Sequence, residues 1–217
     1  WIAENSFGLQ ITVICIVMTL AVISAVSGVG KGVKILSETN LVLAVSLMVF
    51  VLLAGPTLHL LSAFSDNLGF YLANLVKLSF KTYVYEPDNI SWFSGWTVLY
   101  WAWWCSWAPF VGLFIARISK GRTIREFVFG VLAVPSLFCV LWFTIFGNSA
   151  IWLDTHTAGG ALAALTGTPE KLLFVFLDYL PLASISSVLA LVIIALFFIT
   201  SADSGIYVLN NIASRDK

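Results

Sequence analysis

Long windows without a charged residue alternate along this chain with short polar or basic segments. A run of about 20 apolar residues is long enough to cross a lipid bilayer as a helix. Five windows reach this length, and they cover residues 5–30, 39–65, 89–116, 127–153 and 179–202. The pattern therefore predicts an all-α, polytopic membrane protein with five transmembrane helices in a single membrane domain. Five spans would place the two ends of the chain on opposite sides of the membrane.

The segment 66–85 has a different pattern. Leucines recur in it at helical spacing, whereas asparagine and lysine occupy other positions. A helix of this kind lies along a membrane surface with its apolar face in the interface. We therefore expect an amphipathic surface helix between the second and the third span.

Basic residues are concentrated on one side of the predicted spans. Eight of the 11 lysines and arginines fall in the first-to-second linker, in the third-to-fourth linker or at the C-terminal end: Lys31, Lys34, Arg117, Lys120, Arg122, Arg125, Arg215 and Lys217. Loops rich in lysine and arginine stay in the cytoplasm. The segment 66–85 then lies on the outer, periplasmic side.

The composition agrees with a membrane protein and excludes several functions. Hydrophobic residues make up 60 % of the chain and charged residues 10 %, against about 25 % charged in soluble domains. The formal net charge is zero, so we expect no nucleic-acid partner. The three cysteines and two histidines have no metal-ligand spacing, and no catalytic triad or nucleotide-binding loop is present. We expect neither an enzyme nor a transition-metal site. We also interpret the chain, which starts at Trp1, as an excerpt of a longer protein.

The third predicted span carries a cluster of aromatic residues. Four tryptophans fall within seven residues: Trp101, Trp103, Trp104 and Trp107. On a helix, Trp107 lies one turn from both Trp103 and Trp104, Tyr100 lies one turn before Trp104, and Phe110 follows Trp107 by three. Ring faces attract a quaternary ammonium ion, which has no N–H group to satisfy. The spacing therefore suggests an aromatic cage for such a cation.

Two other interpretations of these tryptophans have to be weighed. Tryptophans collect in belts at membrane interfaces, and Trp92, Trp96 and Trp101 fit such a belt. The other tryptophans lie near the middle of the span, which is the wrong depth for a belt. Ordinary helix packing remains open for them on the residue pattern alone.

At these residues the chain resembles a known family. The string YWAWWCSWAPFVGLFIARISKGRTIREF is similar to the signature helix and following loop of the betaine/choline/carnitine transporter family. Further blocks resemble that family in the same order: SAVSGVGKGV at 24–33, WFTIFGNSA at 142–150 and FFITSADS at 197–204. The resemblance implies an inverted-repeat, leucine-transporter-like fold, in which the helix 66–85 joins the two repeats. It also implies a homotrimer in a bacterial inner membrane.

The resemblance further implies a symporter for a quaternary-ammonium solute, choline or glycine betaine, that works by alternating access. Trp103, Trp104 and Trp107 would bind the trimethylammonium group, with Tyr100 and Phe110 beside them. The block CSWAPF favours choline or glycine betaine over carnitine, because the family's carnitine exchangers have Tyr where Trp107 stands. A carnitine/betaine exchanger, an organic-cation channel and a sensor remain alternatives.

The last span contains the residues that match the family's sodium motif: the Phe197 carbonyl and the hydroxyls of Thr200 and Ser201. The coupling ion is then sodium, with a proton as the alternative, and no other cofactor is expected. Without the resemblance, hydroxyls in membrane helices mostly bond a carbonyl of the preceding turn. Asp203 is a further candidate because ionisable groups inside a membrane are often functional. It could equally lie at the inner interface and pair with basic loop residues.

Overall fold

The structure, a computed structural model, describes residues 7–27 and 34–213. All regular structure in these ranges is helical, which confirms the predicted all-α class. Contacts divide the chain into two units. Unit 1 comprises the described parts of Trp1–Leu60 and Ile145–Lys217, and unit 2 is Leu61–Thr144. Three of the basic residues used to predict the orientation lie outside the described ranges: Lys31, Arg215 and Lys217.

Eight α-helices lie in the described ranges. They are α1 (Phe7–Ser27), α2 (Lys34–Ala54), α3 (Thr57–Ser79), α4 (Ile90–Phe93), α5 (Leu99–Ile118), α6 (Ile124–Leu153), α7 (Pro169–Asp178) and α8 (Ala183–Ala213). Four of them are long and apolar enough to cross a membrane: α1, α2, α6 and α8. Helix α5 lies in the third predicted span and has 20 residues, but it is not among these four. The count of five spans therefore stays a prediction.

The boundary predicted between the second span and the surface helix was wrong. Helix α2 ends at Ala54 and α3 begins at Thr57, so the window 39–65 holds parts of two helices. Pro56 causes this break, because proline has no N–H group and disfavours helical geometry in the residue before it. The predicted surface helix 66–85 is the later part of α3, and its helical structure ends at Ser79.

Gly55 lies at the same break in a tightly packed position. A Cβ atom at this residue would lie 2.9 Å from the carbonyl oxygen of Val51 and 3.2 Å from Oγ of Ser149. Only a residue without a side chain fits there unless its neighbours move. This close approach brings the end of α2 against α6 within unit 1.

The third predicted span is not one uniform helix. The four-residue helix α4 is followed by a π-helical turn, Ser94–Val98, and then by α5. A π turn holds more residues than an α turn and is frequent at functional sites. The turn leads directly into the aromatic cluster of α5.

Helix α6 begins with a capping box. The N–H of Thr123 donates to Oε2 of Glu126 at 3.0 Å, and the N–H of Glu126 donates to Oγ1 of Thr123 at 3.3 Å. These reciprocal bonds satisfy N–H groups that have no partner inside the helix. They fix the start of α6 directly after the basic linker.

In unit 1, α8 packs against α1, α2 and α7. The buried apolar side chains of unit 1 include Ala21, Ala44, Leu47, Val51, Leu177, Ala190 and Ile193. The alanines among them allow helices to approach closely, as small residues do in membrane proteins. In unit 2, Nδ2 of Asn67 on α3 donates to Oγ1 of the buried Thr144 on α6 at 3.1 Å.

The segment between α3 and α4 contains a cluster around Tyr83, which has a φ of 58°. The Tyr83 ring lies 6.0 Å from the Trp92 ring and 5.7 Å from the Phe93 ring, measured between centroids. Nζ of Lys81 lies 4.4 Å from the Tyr83 centroid and 3.0 Å from Oε1 of Glu86. Ring contacts and an ion pair together hold this segment, although it has little regular structure.

The loop after α6 is held by one carboxylate. Asp154 accepts the N–H of Leu162 at 2.8 Å and the N–H of Ala163 at 3.2 Å. The loop turns at Gly159 and Gly160, whose φ angles are 59° and 92°. These values lie in the left-handed region that favours glycine.

Candidate substrate-binding site

The predicted cage residues lie on α5 in unit 2, and their rings are substantially exposed. Trp103 is 54 % exposed, Trp104 68 % and Trp107 43 %. Tyr100 is also exposed, and Phe110 is half-buried. The faces of these rings are therefore available to a ligand or to another part of the protein.

Ring contacts join the aromatic residues in two groups. The Tyr100 ring lies 5.9 Å from the Trp96 ring, stacked, and 5.7 Å from the Trp103 ring, edge to face. The Trp107 ring lies 6.1 Å from the Phe110 ring. These distances are in the range of favourable aromatic pairs. The structure thus extends the cluster to Trp96, which the sequence placed in an interfacial belt.

Helical spacing allows more than one neighbour for each ring. Tyr100 lies three residues before Trp103 and four before Trp104, and its ring contact on this side is with Trp103. The contact of Trp107 with Phe110 does follow the predicted i, i+3 spacing. Sequence spacing identifies the surface on which the rings lie, whereas side-chain rotamers decide which of them meet.

The surroundings of α5 leave room for a ligand. Among the described residues, α5 packs extensively only against the preceding turn, Ser94–Val98. It contains no acidic residue. A cation at this surface would therefore be attracted by ring faces and backbone dipoles, because no carboxylate of α5 can pair with it.

The helix backbone is interrupted beside the rings. Pro109 lies inside α5, and since proline has no N–H group, the carbonyl of Cys105 lacks its usual helical donor. A carbonyl in this position can accept a hydrogen bond from a hydroxyl group or from water.

The predicted sodium ligands lie on α8 in unit 1. Oγ1 of Thr200 donates to the carbonyl oxygens of Leu196 at 3.0 Å and Phe197 at 3.1 Å. The structure therefore brings Thr200 and the Phe197 carbonyl together, in the intrahelical bonding that is common for hydroxyls in membrane helices. Ser201 is exposed.

A second polar pair joins α8 to α1, and only its member on α8 was recognised from the sequence. Asp203 is 3 % exposed and accepts a hydrogen bond from Oγ of Ser24 on α1. Asp203 was identifiable as an acid within an apolar segment. Its partner is 179 residues away in the chain, so no local pattern could have indicated it.

Comparison with known proteins identifies the family. The family model described as BCCT, betaine/carnitine/choline family transporter, matches residues 1–217. An uncharacterised transporter of Haemophilus influenzae is 71 % identical over 217 residues, which are 100 % of this chain and 32 % of the relative. The glycine betaine transporter OpuD of Bacillus subtilis is 50 % identical over 205 residues, covering 94 % of this chain and 40 % of OpuD.

A third relative has a broader stated substrate range. The glycine betaine/proline/choline transporter VP1723 of Vibrio parahaemolyticus is 44 % identical over 208 residues, which are 96 % of this chain and 37 % of VP1723. All three relatives are transporters and not enzymes. The chain spans between 32 % and 40 % of the length of these relatives.

Proposed function

Because this chain belongs to the betaine/carnitine/choline family of inner-membrane transporters, we propose that it forms part of a symporter for choline or glycine betaine. Two relatives are named as glycine betaine transporters, and one of these also as a choline transporter. Uptake of such a compatible solute would protect the cell against osmotic stress. The observation that carries the proposal is the series of exposed rings on α5.

Trp107 is the main wall of the proposed site, with Trp103 and Trp104 beside it. A quaternary ammonium ion that enters a membrane-embedded site loses its water, and because it has no N–H group it cannot donate hydrogen bonds in exchange. Ring faces replace the lost hydration, with roughly 2 kcal/mol for each desolvated contact. Tyr100 extends the ring surface on one side of these tryptophans and Phe110 on the other.

We further propose that the opposite wall comes from parts of the full-length protein beyond these 217 residues. The packing of α5, which leaves its rings exposed in the described part of the chain, supports this proposal. Alternating access would then move α5 relative to that wall, as in other inverted-repeat transporters. Assembly into a homotrimer, with lipid around it, belongs to the same proposal.

Sodium is the proposed coupling ion, bound by the hydroxyls of Thr200 and Ser201 and by the Phe197 carbonyl. Thr200 donates its proton within the helix, but a hydroxyl oxygen keeps lone pairs that can face a cation. Oxygen ligands suit a hard cation such as sodium. Proton coupling is the alternative, and the sodium dependence of uptake distinguishes the two.

Substitution of Trp107 by leucine in the full-length protein tests the proposed cage. Leucine keeps an apolar side chain but removes the ring face. Loss of about 2 kcal/mol would weaken the binding of choline or glycine betaine on the order of 30-fold. Trp107→Phe should weaken it much less. Isothermal titration of purified protein at saturating sodium measures both.

Trp101→Leu is the matched control, because Trp101 is 69 % exposed on the same helix and lies outside the proposed site. Its affinity should stay close to that of the wild type. Equal affinities of wild type and Trp107→Leu would rule out the cage. Counterflow of labelled substrate in proteoliposomes would separate a carrier from a channel or a sensor, since only alternating access produces a transient overshoot.

A further inference from the structure

A buried carboxylate connects α1 and α8 in unit 1. Asp203 is 3 % exposed and Ser24 is 5 % exposed. Oγ of Ser24 donates to Oδ2 of Asp203 at 2.5 Å. The other carboxylate oxygen, Oδ1, is also buried and has no hydrogen-bond partner among the described residues.

The carboxyl group of this pair is incompletely bonded in the interior of unit 1. A buried charge is stable only if an opposite charge or several hydrogen bonds compensate it. One hydrogen bond to Oδ2 leaves Oδ1 uncompensated.

The helices packed against α8 supply no opposite charge to Asp203 in the described ranges. Helix α1 has no charged residue. On α2, Lys34 is exposed and pairs with Glu38 at 3.7 Å. On α7, the charged residues are all exposed: Glu170, Lys171 and Asp178.

We propose that Asp203 and Ser24 form a binding site for a sodium ion. Carboxylate and hydroxyl oxygens are the ligands that hard cations prefer, and a monovalent cation at Oδ1 would give this oxygen the partner that it lacks among the described residues. Asp203 follows Thr200 by three residues, so it lies one turn further along α8. The site is separate from the proposed Thr200–Ser201 site, and it would join α1 to α8 whenever sodium is bound.

Its role in coupling rests on the proposed function, but sodium binding itself does not. The test therefore measures binding of radioactive sodium to purified full-length protein in the absence of organic substrate. We expect Asp203→Asn to weaken sodium binding by at least about tenfold, and Ser24→Ala by a smaller factor, since even indirect partners of a metal site contribute about 10–100-fold. Asp178→Asn, the same change at an exposed position, should have no effect.

The double variant Thr200→Ala/Ser201→Ala separates the two sites. If it retains a sodium-binding component that Asp203→Asn lacks, the new site is supported. If Asp203→Asn binds sodium as the wild type does, the proposal is wrong, and a basic side chain or a proton compensates Asp203 instead.

If Asp203→Asn does not fold, unchanged sodium binding in a folded Ser24→Ala protein would likewise overturn the proposal. A wild-type protein that binds sodium through Asp203 but binds no quaternary ammonium ion would contradict the proposed function alone.

Discussion

The pKa of the Glu86 carboxyl group, between α3 and α4, is set by two neighbouring side chains, Lys81 and Asn89. Its hydrogen-bonded ion pair with Lys81 and the hydrogen bond from Nδ2 of Asn89 lower the pKa of Glu86 below its ordinary value of 4.5. A lowered pKa in the folded state means that this pair stabilises the segment at pH values above 4.5. That contribution is lost as the pH falls through the lowered pKa.

Replacement of Lys81 by glutamine should move the pKa of Glu86 back towards 4.5, because the ammonium group is the largest cause of the shift. Infrared titration of protein with ¹³C-carboxyl-labelled glutamate measures this pKa, and Glu86→Gln protein identifies the band that belongs to Glu86. A Glu86 pKa at or above 4.5 in the wild type would show that the ion pair does not persist in solution.

Single residues also show where sequence reasoning reaches its limit. The aromatic side chains of α5 were predictable as one surface because helical spacing is regular. Helical spacing allows Tyr100 to meet either Trp103 or Trp104, and the choice of Trp103 depends on rotamers. The bond between Ser24 and Asp203 was out of reach for another reason: it requires the packing of α1 on α8, which no local pattern encodes.

At the scale of elements, the long apolar windows of the sequence became helices, but several of their ends moved. The window 39–65 contained Pro56, a helix-breaking signal that absence of charge does not register. Thr123 and Glu126 carried the opposite signal, a capping box that marks the start of α6. Helix ends are therefore readable from cap and proline chemistry rather than from hydrophobicity.

Gly55→Ala tests the tight packing at the end of α2. The added methyl group would meet the backbone oxygen of Val51 and the side chain of Ser149, and such overpacking costs about 1–3 kcal/mol. We expect a lower midpoint of thermal unfolding in detergent. Gly147→Ala is the matched control, since a Cβ on Gly147 of α6 would meet nothing within 4 Å, and alanine stabilises a helix interior by up to about 1 kcal/mol relative to glycine. Equal midpoints for the two variants would contradict the packing that we describe.

At the scale of the whole molecule, much of the apolar surface is exposed. Large side chains of α1, α5 and α8 are open in the described part of the chain, among them Val26, Trp104 and Val188. Apolar patches of this size need a cover, which we expect to be lipid and further protein segments. The all-α class and four of the predicted spans were accessible from hydrophobicity alone.

The predicted orientation of the molecule is tested in the linker between α5 and α6. Lys120 is exposed there, whereas Gly121 is unsuitable for substitution because its φ is 89°. A Lys120→Cys substitution in full-length protein without native cysteines should resist an impermeant maleimide in intact cells and react after permeabilisation, since basic loops are cytoplasmic. A cysteine in place of Val84, in the opposite loop, should show the reverse. Labelling of Lys120→Cys in intact cells would invert every predicted span.

The π-helical turn Ser94–Val98 takes up one extra residue within a single turn of the backbone. Each residue of an α-helix advances the chain by about 100° around the axis, and a π turn contains one residue more than an α turn. Loss of a single codon here, for example that of Gly95, would allow an uninterrupted α-helix. Because a π turn and an α turn each complete one revolution, Trp92 and Phe93 would keep about the same direction relative to Trp103 and Trp107. A one-residue gap at this point in a homologous gene would therefore mark the loss of the π turn rather than a rotation of the rings before it.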